Sequence, residues 1–245
     1  MSSGPAHPLL LGLLAPRASP ALPPIPILAA RAGWDAVWLP AGEPSPGEAG
    51  ALGMRIGWVV DDAALPIPGG AMVWLRGSAT VPAQAIAAAF AAEPAAEEIS
   101  ADAQDLASAE AITAAGGVPV FGPASLDALI EMLRSFAGRA AVCLPASPGR
   151  TDTEAHARLD NDPELAAVAR DTPGLVGTLE HCQQTVAALR AAGMSELRLR
   201  LPSTPDLPDV IAQVSALRAD ALAGLRPGAP RSPDPGAPAG WGGRG

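Results

Sequence analysis

Four short stretches hold the residue types from which a site could be built. In Gly122–Pro123–Ala124–Ser125 an apolar run gives way to a helical pattern. Ser125 can cap that helix, while the free N–H groups of Gly122, Ala124 and the first turn form a ready site for an anion such as phosphate. Pro123 withholds one of those N–H groups. Gly177–Thr178 opens a later helix in the same orientation and is a second anion candidate. At both places an ordinary N-cap is the competing reading. Arg150 precedes the capping box Thr151/Glu154, where it can reach a phosphate or carboxylate, or stay solvated or salt-bridged. Asp61 and Asp62 are adjacent carboxylates that can share a proton and serve acid/base work, or face water as a loop pair. No P-loop, metal constellation or nucleophilic triad is present, and His7, His156 and His181 lack the neighbours that a triad needs.

The scaffold that must position these residues is a repeated unit. From Thr178 to Pro202 a helical stripe of Leu179, Val186, Leu189 and Ala192 ends at Gly193. Leu197, Leu199 and Leu201 then alternate with Glu196, Arg198 and Arg200, which reads as a strand. The same order of helix, glycine, strand and proline recurs at Ile27–Pro40, Ala111–Pro123 and Leu129–Pro145, with Gly33, Gly116–Gly117 and Gly138 as helix ends. Repetition of this unit specifies a βα architecture with a parallel sheet. In chain order, strands are expected at 8–14, 35–39, 54–60, 71–75, 97–101, 118–121, 140–144 and 197–201. The fifth is weak because Glu97 and Glu98 are poor strand formers. Helices are expected at 27–32, 81–92, 106–115, 126–137, 178–192 and 207–224.

Eight strands are the number that closes a (β/α)8 TIM barrel, here a short and irregular one over residues 8–225. An open doubly wound sheet is the alternative, and it leaves two edge strands unpaired. Residues 1–7 read as a flexible lead and 226–245 as a disordered tail rich in proline and glycine.

Composition narrows the function classes. The 245 residues are 49% hydrophobic, enough for a large core, and carry a net charge of −9. All 16 cations are arginine, and lysine and tyrosine are absent. An acidic chain without a basic run argues against nucleic acid or an anionic membrane as partner. Cys143 on a strand and Cys182 on a helix read as reduced, partly buried thiols. The apolar run Leu9–Leu14 is too short to span a bilayer and has no basic region before it. A soluble cytoplasmic protein is expected, with a homo- or heterodimer left open.

Leu144–Leu159 (LPASPGRTDTEAHARL) and Gly174–Leu217 (GLVGTLEHCQQTVAALRAAGMSELRLRLPSTPDLPDVIAQVSAL) resemble the C-terminal part of the luciferase-like flavin- or deazaflavin-dependent oxidoreductases and monooxygenases. Gly33–Pro40, Met54–Val60 and Pro119–Leu133 resemble other stations of that family. The resemblance implies a (β/α)8 barrel binding FMN or the deazaflavin coenzyme F420 at its C-terminal mouth, and oxygenation or hydride transfer on an organic small molecule. It favours Ser125 as a phosphate contact and lets Trp58 and Trp74 stack on a flavin ring, although core packing is their commoner use. Where the family commonly has Glu-His after strand two, this chain has PAGEP, so Glu43 is the residue near that place. Glu43, Asp61 and Asp62 are the acid/base candidates. The family's long segment after strand three is reduced here. That leaves a catalytically degenerate barrel, acting as a partner subunit, as the alternative.

Overall fold

The computed structural model describes residues 9–14, 25–41, 53–61, 72–76, 86, 91, 96–122, 124–171 and 174–223. The expected lead at 1–7, the tail at 226–245 and most of the helix at 81–92 lie outside the described residues. Nine strands are present among them: β1 (Leu10–Leu14), β2 (Ala36–Pro40), β3 (Arg55–Val60), β4 (Met72–Leu75), β5 (Glu98–Ala103), β6 (Val118–Phe121), β7 (Ala141–Gly149), β8 (Leu175–Thr178) and β9 (Glu196–Arg200). The helices are α1 (Ile25–Arg31), α2 (Leu106–Ala114), α3 (Leu126–Ser135), α4 (Asp152–Asp160), α5 (Pro163–Asp171), α6 (Leu179–Ala191) and α7 (Leu207–Ala223).

β1 to β7 pair in order, β7 pairs with β9, and β9 returns to β1, all in parallel. Eight strands therefore close a ring, and the open sheet is excluded. Following the pairings once around slips the register by about eight residues, the stagger of a TIM barrel.

The ninth strand, β8, stands outside the ring and pairs only with Ala146–Gly149 of β7. The sequence reading ends the seventh strand at Leu144, whereas β7 runs through Pro145 and Pro148 to Gly149. β6 leaves β7 at Val142, so beyond that point β7 is paired on one side, where strands tolerate proline. α5 and β8 have no counterpart in the sequence reading. Gly33, Gly116 and Gly193 do adopt positive φ at helix ends. Gly138 does not, because α3 stops earlier, at Ser135, with Phe136 as its extended C-cap.

Alternation along each strand divides the side chains between two cores. Leu11, Leu13, Val37, Leu39, Val142 and Leu199 face outward and pack under the helices. Inside the ring stand Leu14, Trp38, Val59, Met72, Trp74 and Val120. The polar half of the β9 alternation also points inward: Arg198 is completely buried and Glu196 nearly so. Arg198 donates from Nε to Glu196 Oε1 (2.9 Å), from Nη1 to Ser100 Oγ (2.8 Å) and from Nη2 to Glu98 Oε1 (3.2 Å). Arg139 closes the network from the N-terminal rim, at 2.7 Å from Glu98 and 3.1 Å from Glu196. Glu98 thus enters β5 despite its poor strand preference because two arginines receive its carboxylate.

Two arginines balance two glutamates, so the buried cluster is neutral as a set. Removing one member of such a set costs about 3–5 kcal/mol by stranding its partner's charge. Burial alone would raise the Glu196 carboxyl, but Arg198, Arg139 and Arg55 outweigh it and hold it below its ordinary value. A carboxyl depressed in this way stabilises the fold above its unfolded pKa, near 4.3. That contribution is lost as pH falls further, through the folded value.

The Arg198 guanidinium lies 3.9 Å from the Trp38 ring centroid and 5.0 Å from that of Trp74. The two indoles meet edge to face at 5.8 Å. Trp38 fits because glycine stands beside it on both neighbouring strands. A methyl group at Gly12 would lie 2.9 Å from Trp38 Nε1, and one at Gly57 would overlap the six-membered ring. Gly57→Ala should therefore lower unfolding free energy by about 1–3 kcal/mol through overpacking, and by more than Gly12→Ala. Urea denaturation of both variants checks this; an effect below about 0.5 kcal/mol at Gly57, the range of an ordinary surface change, would contradict the packing.

Candidate functional site

Above Arg198 the barrel is filled, and this sets the floor of anything bound there. Trp74 donates from Nε1 to Asp102 Oδ1 at 2.8 Å, which fixes both side chains near the C-terminal end of the ring. Half-buried Cys143 shares this level. Burial, reinforced by the charge of Asp102, pushes its thiol up to about 12, so it stays protonated and is no thiolate nucleophile.

At the C-terminal ends of β9, β1, β2, β3 and β4 opens a cavity of about 480 Å³, within the range of ligand sites. Leu14, Pro40 and Val59 give it apolar wall. Its charged groups are Arg76, Asp61, Arg200, Glu164 and Asp162. Arg76 grips Asp61 with both ends of its fork, at 2.8 Å and 3.1 Å. Arg200 meets Glu164 through one contact of 3.3 Å. β4 and β9 stand four places apart in the ring of eight, so the two arginines face one another across the mouth.

The turn between α4 and α5 forms the outer wall. It is held there by Arg158, which bridges Glu154, the Pro148 carbonyl and Asp206 at the start of α7. Asp162 adds a second tie by accepting from the N–H groups of Leu165 (2.9 Å) and Ser203 (3.0 Å). Asp206 is held below the usual carboxylate range; burial opposes this, but the Arg158 guanidinium, which donates to it from Nε, outweighs it.

The residues singled out in the sequence fall in several places. Ser125 caps α3, accepting from Ala128 N–H at 3.3 Å. It lies in a second, more open cleft of about 610 Å³ with His156 and Arg170, on the other side of α5 from the mouth cavity. Gly122 has φ +144, and a side chain there would meet the Cys143 carbonyl, so the turn into α3 admits only glycine. Ala124 packs against the outer core. Thr178 caps α6 by accepting from His181 N–H, while its own N–H donates to Asp152 at 3.1 Å. An internal carboxylate thus already sits at the Gly177–Thr178 turn. Arg150 is exposed, its N–H bonded to Glu154. Trp58 and Trp74 stand on opposite faces: Trp58 faces outward into the core beneath the helices, and Trp74 lies inside the ring. Asp61 is the partner of Arg76, whereas Glu43 and Asp62 lie outside the described residues.

Arg76, Arg200 and Asp102 carry the geometry of the mouth, yet the sequence reading selects none of them. Arg200 belongs to the Leu/Arg alternation of β9. Because the outer face of a barrel strand is covered by helices, the polar half of that alternation must point inward.

The fold is a closed (β/α)8 barrel. Neither a protein-family model nor a curated protein matches this chain. Solved structures do. Apo-MsnO8 is similar over 87% of this chain and 98% of its own, with a TM-score of 0.58 and 13% identity. An F420-dependent secondary alcohol dehydrogenase, in complex with an F420–acetone adduct, is similar over 86% and 98%, with 0.59 and 13%. The oxygenating constituent of 3,6-diketocamphane monooxygenase from the CAM plasmid of Pseudomonas putida, in complex with FMN, is similar over 89% and 98%, with 0.55 and 13%. These likenesses establish the shared fold, in agreement with the luciferase-like resemblance of the sequence; chemistry has to come from the site.

The thiol environment is directly testable. Cys143 and Cys182 both have thiols raised to about 12 by burial. Native protein at pH 8 should therefore react with iodoacetamide at least tenfold more slowly than the same protein in urea, since the unfolded thiol titrates near 8.5. Rapid native alkylation would contradict the described floor.

Proposed function

We propose that the protein is an oxidoreductase or monooxygenase that uses FMN or F420 on an organic small molecule bound at the barrel mouth. The observation that carries this reading is the mouth cavity, part apolar and part charged, with arginines at the ends of β4 and β9. The FMN and F420 complexes of similar fold support it.

The donor set fits such a group. Arg76 already holds the Asp61 carboxylate bidentately, the geometry in which a guanidinium receives two phosphate oxygens. Arg76 would anchor the negatively charged part of the cofactor, and Leu14, Pro40 and Val59 would keep water from the face beside them. Trp74, locked by Asp102, would support the site from below rather than stack on its ring. When bound, the cofactor supplies the redox capacity; the chain supplies orientation and electrostatics. Lysine is absent from the whole chain, which excludes imine chemistry through a lysine.

Titration of the purified protein with FMN and with F420, followed by fluorescence, should show saturable binding of one of them. Arg76→Ala should weaken it by about ten- to a hundredfold, the worth of hydrogen bonds to a charged group. Absence of binding to both would overturn this reading in favour of a non-catalytic partner barrel. Unchanged affinity in Arg76→Ala would move the anchor to the cleft of Ser125, His156 and Arg170.

A further inference from the structure

Two arginines face each other across one mouth, and they are not held alike. Arg76 has a bidentate partner. Arg200 projects from the end of a barrel strand, its side chain only 29% exposed, whereas its single-contact partner Glu164 is 86% exposed. The cation is therefore fixed in the cavity and the carboxylate is the member free to leave. Glu164 lies in the first turn of α5, where the helix dipole favours a carboxylate even without Arg200. The other acids of the cavity are engaged elsewhere: Asp61 by Arg76, and Asp162 by two backbone N–H groups. Beside Arg200, on the paired strand β1, the wall is apolar at Leu14.

We propose that the mouth accepts an organic anion, a carboxylic acid with an apolar body, whose carboxylate takes the place of Glu164 on Arg200. This rests on reading the mouth as the active site, and it names the substrate class for it. Arg200 is then the specificity-determining residue, while Arg76, on the opposite side, is left for the cofactor. An ion pair with one contact and an exposed carboxylate contributes little, so its exchange for a ligand carboxylate gives up little. The apolar body of the ligand adds burial against Leu14.

The test is calorimetric titration of the full chain with octanoate, beside octanol and octylamine. Octanoate should bind at least tenfold more tightly than either control. Arg200→Met should weaken octanoate binding by about ten- to a hundredfold, and Arg134→Met, at an exposed arginine of α3 outside the cavity, should change it less than twofold. Glu164→Gln, which removes the internal competitor, should tighten octanoate binding several-fold; this gain would not arise if Arg200 served structure alone. Should Arg200→Met fail to fold, Glu164→Gln and Arg200→Lys carry the test. Octylamine binding more tightly than octanoate, an Arg200→Met variant of unchanged affinity, or no gain from Glu164→Gln would overturn the proposal. Parallel titration with FMN and F420 keeps the two readings apart, because failure of both cofactors refutes the redox assignment whatever octanoate does.

Discussion

The guanidinium of Arg198 is the interaction on which the rest of the barrel depends. It is completely buried, and a buried charge persists only when paired and hydrogen-bonded. Glu196, Glu98 and Ser100 supply its polar partners, and Trp38 and Trp74 bring their π-faces near it. Those partners come from β2, β4, β5 and β9, so one side chain ties strands from around the ring. Each tie imposes a local sequence demand: glycine at 12 and 57 to make room for Trp38, a glutamate at the start of β5, and a balancing Arg139 at the rim.

Function follows from where this cluster sits. Among the described residues, side chains fill the N-terminal half of the ring, which leaves the C-terminal mouth as the place proposed for a ligand. There the pattern changes from saturated to exchangeable pairs. Arg198 is fully enclosed by its partners, Arg76 holds an exposed carboxylate with two bonds, and Arg200 holds one with a single bond. The α4–α5 turn, tied down by Arg158 and Asp162, shapes the cavity without filling it.

Much of the fold was legible in the sequence. Gly33, Gly116 and Gly193 marked helix ends, and short apolar runs located seven of the eight ring strands to within two residues at each end. The misses have physical causes. Pro145 and Pro148 hid the extension of β7, because proline stops a strand paired on both sides but not one paired on a single side. β8, the four-residue segment LVGT, is ordered by pairing with that extension, which no local pattern could show. Glu98 looked unfavourable in a strand because its counter-ions, Arg139 and Arg198, lie far away in the chain.

The site was less legible than the fold. Caps at Ser125 and Thr178 announced themselves through local chemistry, and both form, but a cap is equally good with or without a ligand. Arg200 is marked by the Leu/Arg alternation of β9, but nothing local pairs it with Arg76; the two come to one mouth only when the ring closes. Crystals soaked with whichever of FMN or F420 saturates the protein would test the central claim most directly. The ligand should lie in the mouth cavity, with its charged group on Arg76 and its body against Leu14 and Val59. Density in the Ser125–His156–Arg170 cleft, with the mouth empty, would contradict it.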